Sequence, residues 1–347
     1  MPASPAVITA SALGFAWPDG TPALADLDLL VGPGRSGLVG VNGAGKSTLL
    51  RLIARELHPT AGHLAVSGEV GYLPQDLTLD TSQPVDEFLG IGAVRRAIRA
   101  VESGESDPAR LSDHLDAIGD DWHVEDRAVA ELGRVGLPSD VLDRRLGELS
   151  GGEVTQLGLT RLLLRRPDVL LLDEPTNNLD LDARGRLYDL VDEWSRAMLV
   201  VSHDRVLLER MDRIGDLRDG AVRWYGGGYS SYVAQVAAEQ EAARRAVTSA
   251  RSDLRRQRHD RVEAERQLAQ RRRVAKRAEE SAGLGKAQIN YKKGRAERSA
   301  AGLRGVHDDR IAGARERLDE AEARLREDRE IRIELPGTEV ARGRVVL

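Results

Sequence analysis

The stretch Gly40-Val41-Asn42-Gly43-Ala44-Gly45-Lys46-Ser47-Thr48 constrains this chain more than any other. It fits the pattern G-x-x-x-x-G-K-[ST]. An apolar run over 37–41 that reads as a buried strand precedes it, and a predicted helix over 47–56 follows, with Leu49, Leu50, Leu52 and Ile53 on one face. Glycines in such a loop let backbone N–H groups approach phosphate oxygens, and the helix start adds its positive end. In this pattern Lys46 reaches the β- and γ-phosphates and the Ser47 hydroxyl can hold Mg²⁺. A chain built around this loop needs an α/β fold with a mostly parallel sheet.

Two further apolar runs, 169–172 and 198–201, lack alternation, as expected of parallel strands covered on both faces. The first ends in Asp173-Glu174, at the carboxyl end where sheet ligands bind. Asp173 there can hold Mg²⁺ through water, and Glu174 can polarise an attacking water. Residues 7–9 read as one short strand and 14–17 as another, ending at the Pro18-Asp19-Gly20 turn, and 76–149 reads as helical and polar. The implied chemistry is in-line attack of water on the γ-phosphorus of a nucleoside triphosphate, driven by positioning and charge neutralisation.

Composition excludes several alternatives. With no Cys there is no thiolate metal site, disulfide or catalytic thiol, and aromatics at 3% are too few for a stacking wall. The seven His are scattered. No apolar run approaches the roughly 20 residues of a membrane helix, and the start MPASPAV lacks the features of a secretory signal. A cytoplasmic location without membrane association is the expectation.

The net charge of −5 conceals a division: residues 1–235 hold 23 Lys/Arg against 36 Asp/Glu, whereas 236–330 hold 25 against 18. An acidic body with a basic extension suits contact with a polyanion. From residue 236 to 282 Gly and Pro are absent and Ala, Arg, Glu and Gln dominate, a long-helix composition. One helix is expected over 236–279, a break at 281–285, a basic stretch, and a second helix near 304–331. Ile311, Ala314, Leu318, Ala321 and Leu325 keep coiled-coil spacing on the second helix; Val247 and Leu254 do so on the first, where Arg261 then takes a seam position. The expected product is an antiparallel helical hairpin with a basic tip around 281–303.

Several motifs carry a family resemblance. Leu149-Ser150-Gly151-Gly152-Glu153 resembles the signature motif of ATP-binding-cassette (ABC) ATPases, Gln75 their Q-loop glutamine, Asp180 their D-loop, His203 their switch histidine, and Trp17 the aromatic that stacks on adenine. The resemblance implies an ABC-type P-loop NTPase cassette over 1–235, with a mixed, mostly parallel sheet and a helical subdomain over about 76–160. It implies ATP and Mg²⁺ as cofactors. Glu174, His203 and Gln75 would be catalytic, and Ser47, Gln75 and Asp173 would hold the metal. Trp17, residues 42–48 (Asn42, Gly43, Ala44, Gly45, Lys46, Ser47 and Thr48), Ser150, Gly151, Gly152 and Asp180 would bind nucleotide.

Within that family, Glu174-Pro175-Thr176-Asn177-Asn178-Leu179-Asp180 and Tyr225-Gly226-Gly227-Gly228-Tyr229-Ser230-Ser231-Tyr232 resemble the ABC-F subfamily, whose members carry no transmembrane domain. The resemblance makes 236–331 the linker between two cassettes. That linker reaches ribosomal RNA and the P-site transfer RNA, in translation or in protection against ribosome-targeting antibiotics, with Arg271, Arg272, Arg273, Lys286, Lys292, Lys293 and Arg295 as the expected phosphate contacts. Val154 and Thr155 depart from the subfamily, which favours a basic residue after the signature. Residues 332–347 resemble the start of a second cassette, so the chain reads as an amino-terminal half. ATP in ABC proteins is sandwiched between the phosphate loop of one cassette and the signature serine of another, so a second cassette or a head-to-tail dimer is expected, with weak turnover by the half alone. Two alternatives are the nucleotide-binding subunit of an ABC transporter and a DNA-repair ATPase with a coiled-coil arm. The latter inserts its coil before the signature, whereas the helices here follow Trp224.

Overall fold

The computed structural model describes residues 8–77, 80–282 and 286–325. The chain divides between Ala234 and Gln235 into two compact units.

In the first unit, six strands form one sheet in the order β5-β6-β7-β3-β8-β9. These are β3 (Arg35–Gly40), β5 (Val70–Leu73), β6 (Val169–Asp173), β7 (Ala197–Val201), β8 (Arg213–Arg218) and β9 (Ala221–Gly226). Pairing is parallel except between β8 and β9. Every residue of β6 and β7 is buried, which explains why their sequences show no alternation. Along β6, Leu170 and Leu172 enter one hydrophobic cluster while Val169 and Leu171 enter another, so a single strand serves both faces. The first cluster includes the helices Gly151–Arg165 and Leu181–Glu193 and the helical segment between residues 85 and 142. The second packs the phosphate-loop helix Lys46–Ile53 under a three-stranded antiparallel sheet, order β2-β1-β4, made of β1 (Ile8–Ala16), β2 (Pro22–Val31) and β4 (Ala61–Val66).

Two expectations about the first unit need correction. The two short strands read at the start are one strand, β1, which changes register between Ala10 and Leu13 around Ala12 at φ 48. Such an irregularity breaks the alternation that marks a strand. Residue 7 lies outside the described residues. The run 198–201 is β7, and two strands not expected from the sequence, β8 and β9, follow it in the same sheet. Their charged residues masked them, although Asp216 is 3% exposed and accepts a hydrogen bond from the Tyr232 hydroxyl at 3.1 Å.

A helix that begins at Tyr229, as the last element of the first unit, continues through the second unit to Ala282, and another spans Lys286–Ala323. Arg251 pairs with Glu322 at 2.7 Å, Arg317 with Asp253 at 2.9 Å and Arg261 with Asp308 at 2.9 Å. As one sequence number rises the partner's falls, which makes the pair antiparallel. Ala243, Val247, Leu254, Ala314 and Ala321 are buried at heptad spacing, and Ile311, Leu318 and Leu325 are half-buried in the same register. Arg261 does occupy a seam position, where it also meets Glu265 at 3.2 Å. The second helix starts some eighteen residues earlier than expected, because the basic stretch is itself helical despite Gly294 and Gly302. Residues 283–285 of the expected break and the tail 332–347 fall outside the described residues, as do the side chains of Lys286, Lys292, Lys293 and Arg295. Arg271, Arg272 and Arg273 are exposed.

Candidate functional site

A cleft of about 620 Å³ opens at the carboxyl ends of the parallel strands, the position ligands take in open α/β sheets. Four strands supply it. β3 leads into the loop carrying Asn42, Gly43, Gly45, Lys46, Ser47 and Thr48; β5 leads to Gln75; β6 ends in Asp173 and Glu174; and β7 leads to His203. Trp17, at the end of β1, forms another wall and meets Phe15 edge-on, with centroids 5.1 Å apart.

The loop shape follows from its glycines. Gly45 sits at φ 92, and a Cβ there would lie 2.7 Å from the Ala23 carbonyl oxygen and 2.7 Å from Leu24 Cδ2. Only glycine fits both the angle and the space. Gly45 is also the N-cap of the helix Lys46–Ile53, with no side-chain cap over its first N–H groups. Lys46 is 8% exposed, and its ammonium donates to the Gly40 oxygen at 2.9 Å and the Val41 oxygen at 3.1 Å, which places the cation at the base of the cleft. Ala44 is turned inward: its N–H donates to the Val41 oxygen at 3.1 Å, and it does not line the cleft. Burial pulls the Lys46 proton affinity below its ordinary value, against the opposing pull of Glu174 and Asp173.

Asp173 is 2% exposed, and burial raises its pKa despite the hydrogen bonds that Ser47 and Tyr72 direct at it. Its Oδ1 is buried without a hydrogen-bond partner. A fully desolvated carboxylate oxygen beside a hydroxyl (Ser47) and an amide (Gln75) is a hard-oxygen set that fits Mg²⁺, which takes one or two carboxylates and completes its shell with substrate phosphates. Among the described residues no group of three or more His, Asp or Glu converges as a preformed cation cage.

Glu174 adopts φ 47, an uncommon angle for a side chain of this size. Several bonds hold it there: its N–H donates to the Val201 oxygen at 2.8 Å, and its own oxygen accepts from Asn177 N–H at 3.2 Å. The carboxylate accepts from the His203 N–H at 3.2 Å, and its other oxygen lies 3.4 Å from His203 Nε2. Burial raises the Glu174 pKa, partly offset by the charge and N–H of His203. A carboxylate at 8% exposure with raised proton affinity, beside an imidazole, suits a proton-accepting role.

Ser150, Gly151, Gly152 and Asp180 are not brought to this cleft. Ser150 is exposed and caps the helix Gly151–Arg165. It forms a reciprocal box with Glu153, whose carboxylate accepts from both the Ser150 N–H and its hydroxyl at 2.8 Å. Asp180 is exposed and caps the helix Leu181–Glu193 by accepting from Ala183 N–H at 2.8 Å. Residues unforeseen from sequence also line the cleft: Thr21, Pro22, Ala23, Asn177 and Val201. Nothing local marks Thr21, Pro22 and Ala23, which the fold and not a motif brings there, whereas Asn177 follows Glu174 by three residues and Val201 ends an apolar run two residues before His203. The Ser150–Glu153 box, in contrast, had a readable signal in its S-x-x-E spacing.

The strand–loop–helix, the Asp-Glu pair at the end of β6 and the histidine after β7 together define an ATP-binding cassette. Residues 24–177 match the ABC transporter family model. The tylosin resistance ATP-binding protein TlrC of Streptomyces fradiae is 38% identical over 257 residues, 68% of this chain and 47% of that protein. ABC transporter F family member 2 of Arabidopsis thaliana is 30% identical over 197 residues, 56% of this chain and 26% of that protein. The solved structure of an ATP-binding subunit of an ABC transporter superposes with a TM-score of 0.51 at 20% identity, over 67% of this chain and 93% of that one, a likeness of fold. The chain belongs to the ATP-binding-cassette family, among proteins of the ABC-F type. It spans less than half the length of these curated relatives. Among the described residues no helix is long and apolar enough to cross a membrane.

Proposed function

We propose that this chain is an ATPase whose nucleotide-driven closure acts on the ribosome in the cytoplasm. The observation that carries the nucleotide reading is a single cleft lined by the buried Lys46, by Asp173 with its partnerless Oδ1 and by the Glu174–His203 pair. Lys46 and the N–H groups of the loop would hold the β- and γ-phosphates, and Trp17 would pack on the base. Mg²⁺, held by Ser47, Asp173 and Gln75, would shield phosphate charge. Glu174 would draw the proton from the attacking water, and His203 would hold the γ-phosphate in line. Ser150, Gly151, Gly152 and Asp180 would complete a second chain's or second cassette's site, consistent with their absence from the lining of the cleft in this one. Turnover would then depend on association, and dilution of the isolated chain should suppress it.

The ribosomal part rests on the excess of Lys/Arg beyond residue 236, on the exposed Arg271, Arg272 and Arg273, and on the resistance named for TlrC. The basic hairpin would lie against ribosomal RNA or the P-site transfer RNA, with binding weakened by salt. The test is Glu174→Gln with ATP and ribosomes, followed by pelleting. Retention of the variant in the pellet, lost at high salt, is the expected result; a variant that stays in the supernatant like wild type at moderate salt would remove the ribosomal reading.

A further inference from the structure

The segment after His203 links the cleft to the start of the long helix. Asp204 caps the short helix Arg205–Glu209, accepting from Val206 N–H at 2.8 Å and Leu207 N–H at 3.3 Å, and its other oxygen accepts from the Tyr188 hydroxyl at 2.6 Å. Leu207 and Leu208 are 0% and 1% exposed in the larger core, so the turn moves only as a body. At its far end, the exposed Glu209 carboxylate accepts from the Ser230 N–H at 2.8 Å, in the first turn of the helix Tyr229–Ala282. The Arg205 guanidinium lies over the Tyr229 ring at 5.7 Å. Backbone contact is closer still: a Cβ on Gly228 would fall 2.4 Å from the Glu209 oxygen, so only glycine permits this approach.

The near end has two available partners. His203 Nε2 lies 3.4 Å from Glu174 Oε1 while its side chain is 64% exposed and borders the cleft. A phosphate oxygen entering the cleft competes with Glu174 for that nitrogen.

We infer that the Asp204-capped turn Arg205–Glu209 transmits the partner choice of His203 to the first turn of the helix at Tyr229, through the Glu209–Ser230 hydrogen bond and the Gly228–Glu209 backbone contact. This inference rests on the nucleotide reading above and adds a route by which occupancy of the cleft is felt at residues 229–234. Glu209 and Gly228 are positioning residues in it and touch no substrate. Tyr232 reinforces the anchor by meeting Tyr225 edge-on at 5.2 Å, and its N–H donates to the Gly228 oxygen at 3.0 Å.

The test is amide hydrogen exchange across 229–234 in the full chain, with and without Mg²⁺ and ATP, alongside ATP binding by the same samples. Wild type should show an ATP-dependent change of about two- to tenfold in this segment, the range set by one hydrogen bond. Glu209→Ala and Gly228→Ala should bind ATP within about twofold of wild type yet lose that response, because one chain's cleft binds ATP whatever happens at Glu209. Glu209→Gln, whose amide oxygen still accepts from Ser230, should restore it. The inference is overturned if wild type binds ATP with no change over 229–234, or if the response keeps its full size in Glu209→Ala. Absence of ATP binding by wild type would instead overturn the nucleotide reading and take this inference with it.

Discussion

Substituting the phosphate-loop glycines one at a time separates two costs that are usually confounded. Gly43 and Gly45 both have positive φ, 82 and 92. A Cβ on Gly43 would meet nothing within 4 Å, whereas one on Gly45 would lie 2.7 Å from a backbone oxygen and from Leu24 Cδ2. Gly43→Ala therefore carries only the left-handed backbone penalty, about 1–2 kcal/mol. Gly45→Ala carries that penalty plus overpacking against β2, about 1–3 kcal/mol more. For a unit of this size about 1 kcal/mol shifts Tm by roughly 2–4 °C, so Gly45→Ala should melt several degrees below Gly43→Ala. All four tryptophans lie before residue 235, so intrinsic fluorescence follows this unit alone. ATP binding should order the same way, with Gly45→Ala losing far more affinity because the displaced loop no longer presents its N–H groups. Equal melting temperatures for the two variants would refute the reasoning, since the angle is common to both and only the contact differs.

Two other outcomes follow from the structure. Glu174 has a raised pKa in the folded chain, so its charged form opposes folding above that pKa, and the opposition fades as pH falls toward the ordinary carboxylate value. Glu174→Gln should accordingly raise Tm at neutral pH, with a gain that shrinks on acidification, while ATP stays bound and is not turned over; a gain that is constant with pH would count against the burial argument. In the hairpin, Arg261 occupies a seam position beside Asp308, both about half exposed, so the pair contributes little and an apolar group at that seam position adds buried contact with the facing helix. Arg261→Leu should leave helix content intact and raise the melting temperature of the hairpin's circular dichroism signal; a lowered melting temperature would show that the pair contributes more than it costs.

The site was legible where its chemistry is local. The phosphate loop and the Asp-Glu pair each sit at a strand end, where spacing locates them, whereas the histidine after β7 was legible only through the family resemblance. The coiled-coil seam was legible for the same reason, because its period is short. What stayed hidden depends on long separations or on broken periodicity. Ala12 at positive φ interrupts β1, and Gly294 and Gly302 lie inside a helix that glycine should weaken. Arg95, 3% exposed, draws Glu125 and Asp143 to 2.9 and 2.7 Å from 30 and 48 residues away. Glu209 gains its meaning only from Ser230, a residue that no sequence pattern ties to it.

Because β6 sends alternate side chains into two separate hydrophobic bodies, it works as a rivet through both. Stripping either body from the sheet exposes half of that strand's leucines and valines, and the ledge that carries Asp173 and Glu174 then loses its footing. A nicked or partly melted chain of this kind should fail to bind nucleotide altogether rather than bind it weakly, and binding should vanish in a single step along with the tertiary structure of either half.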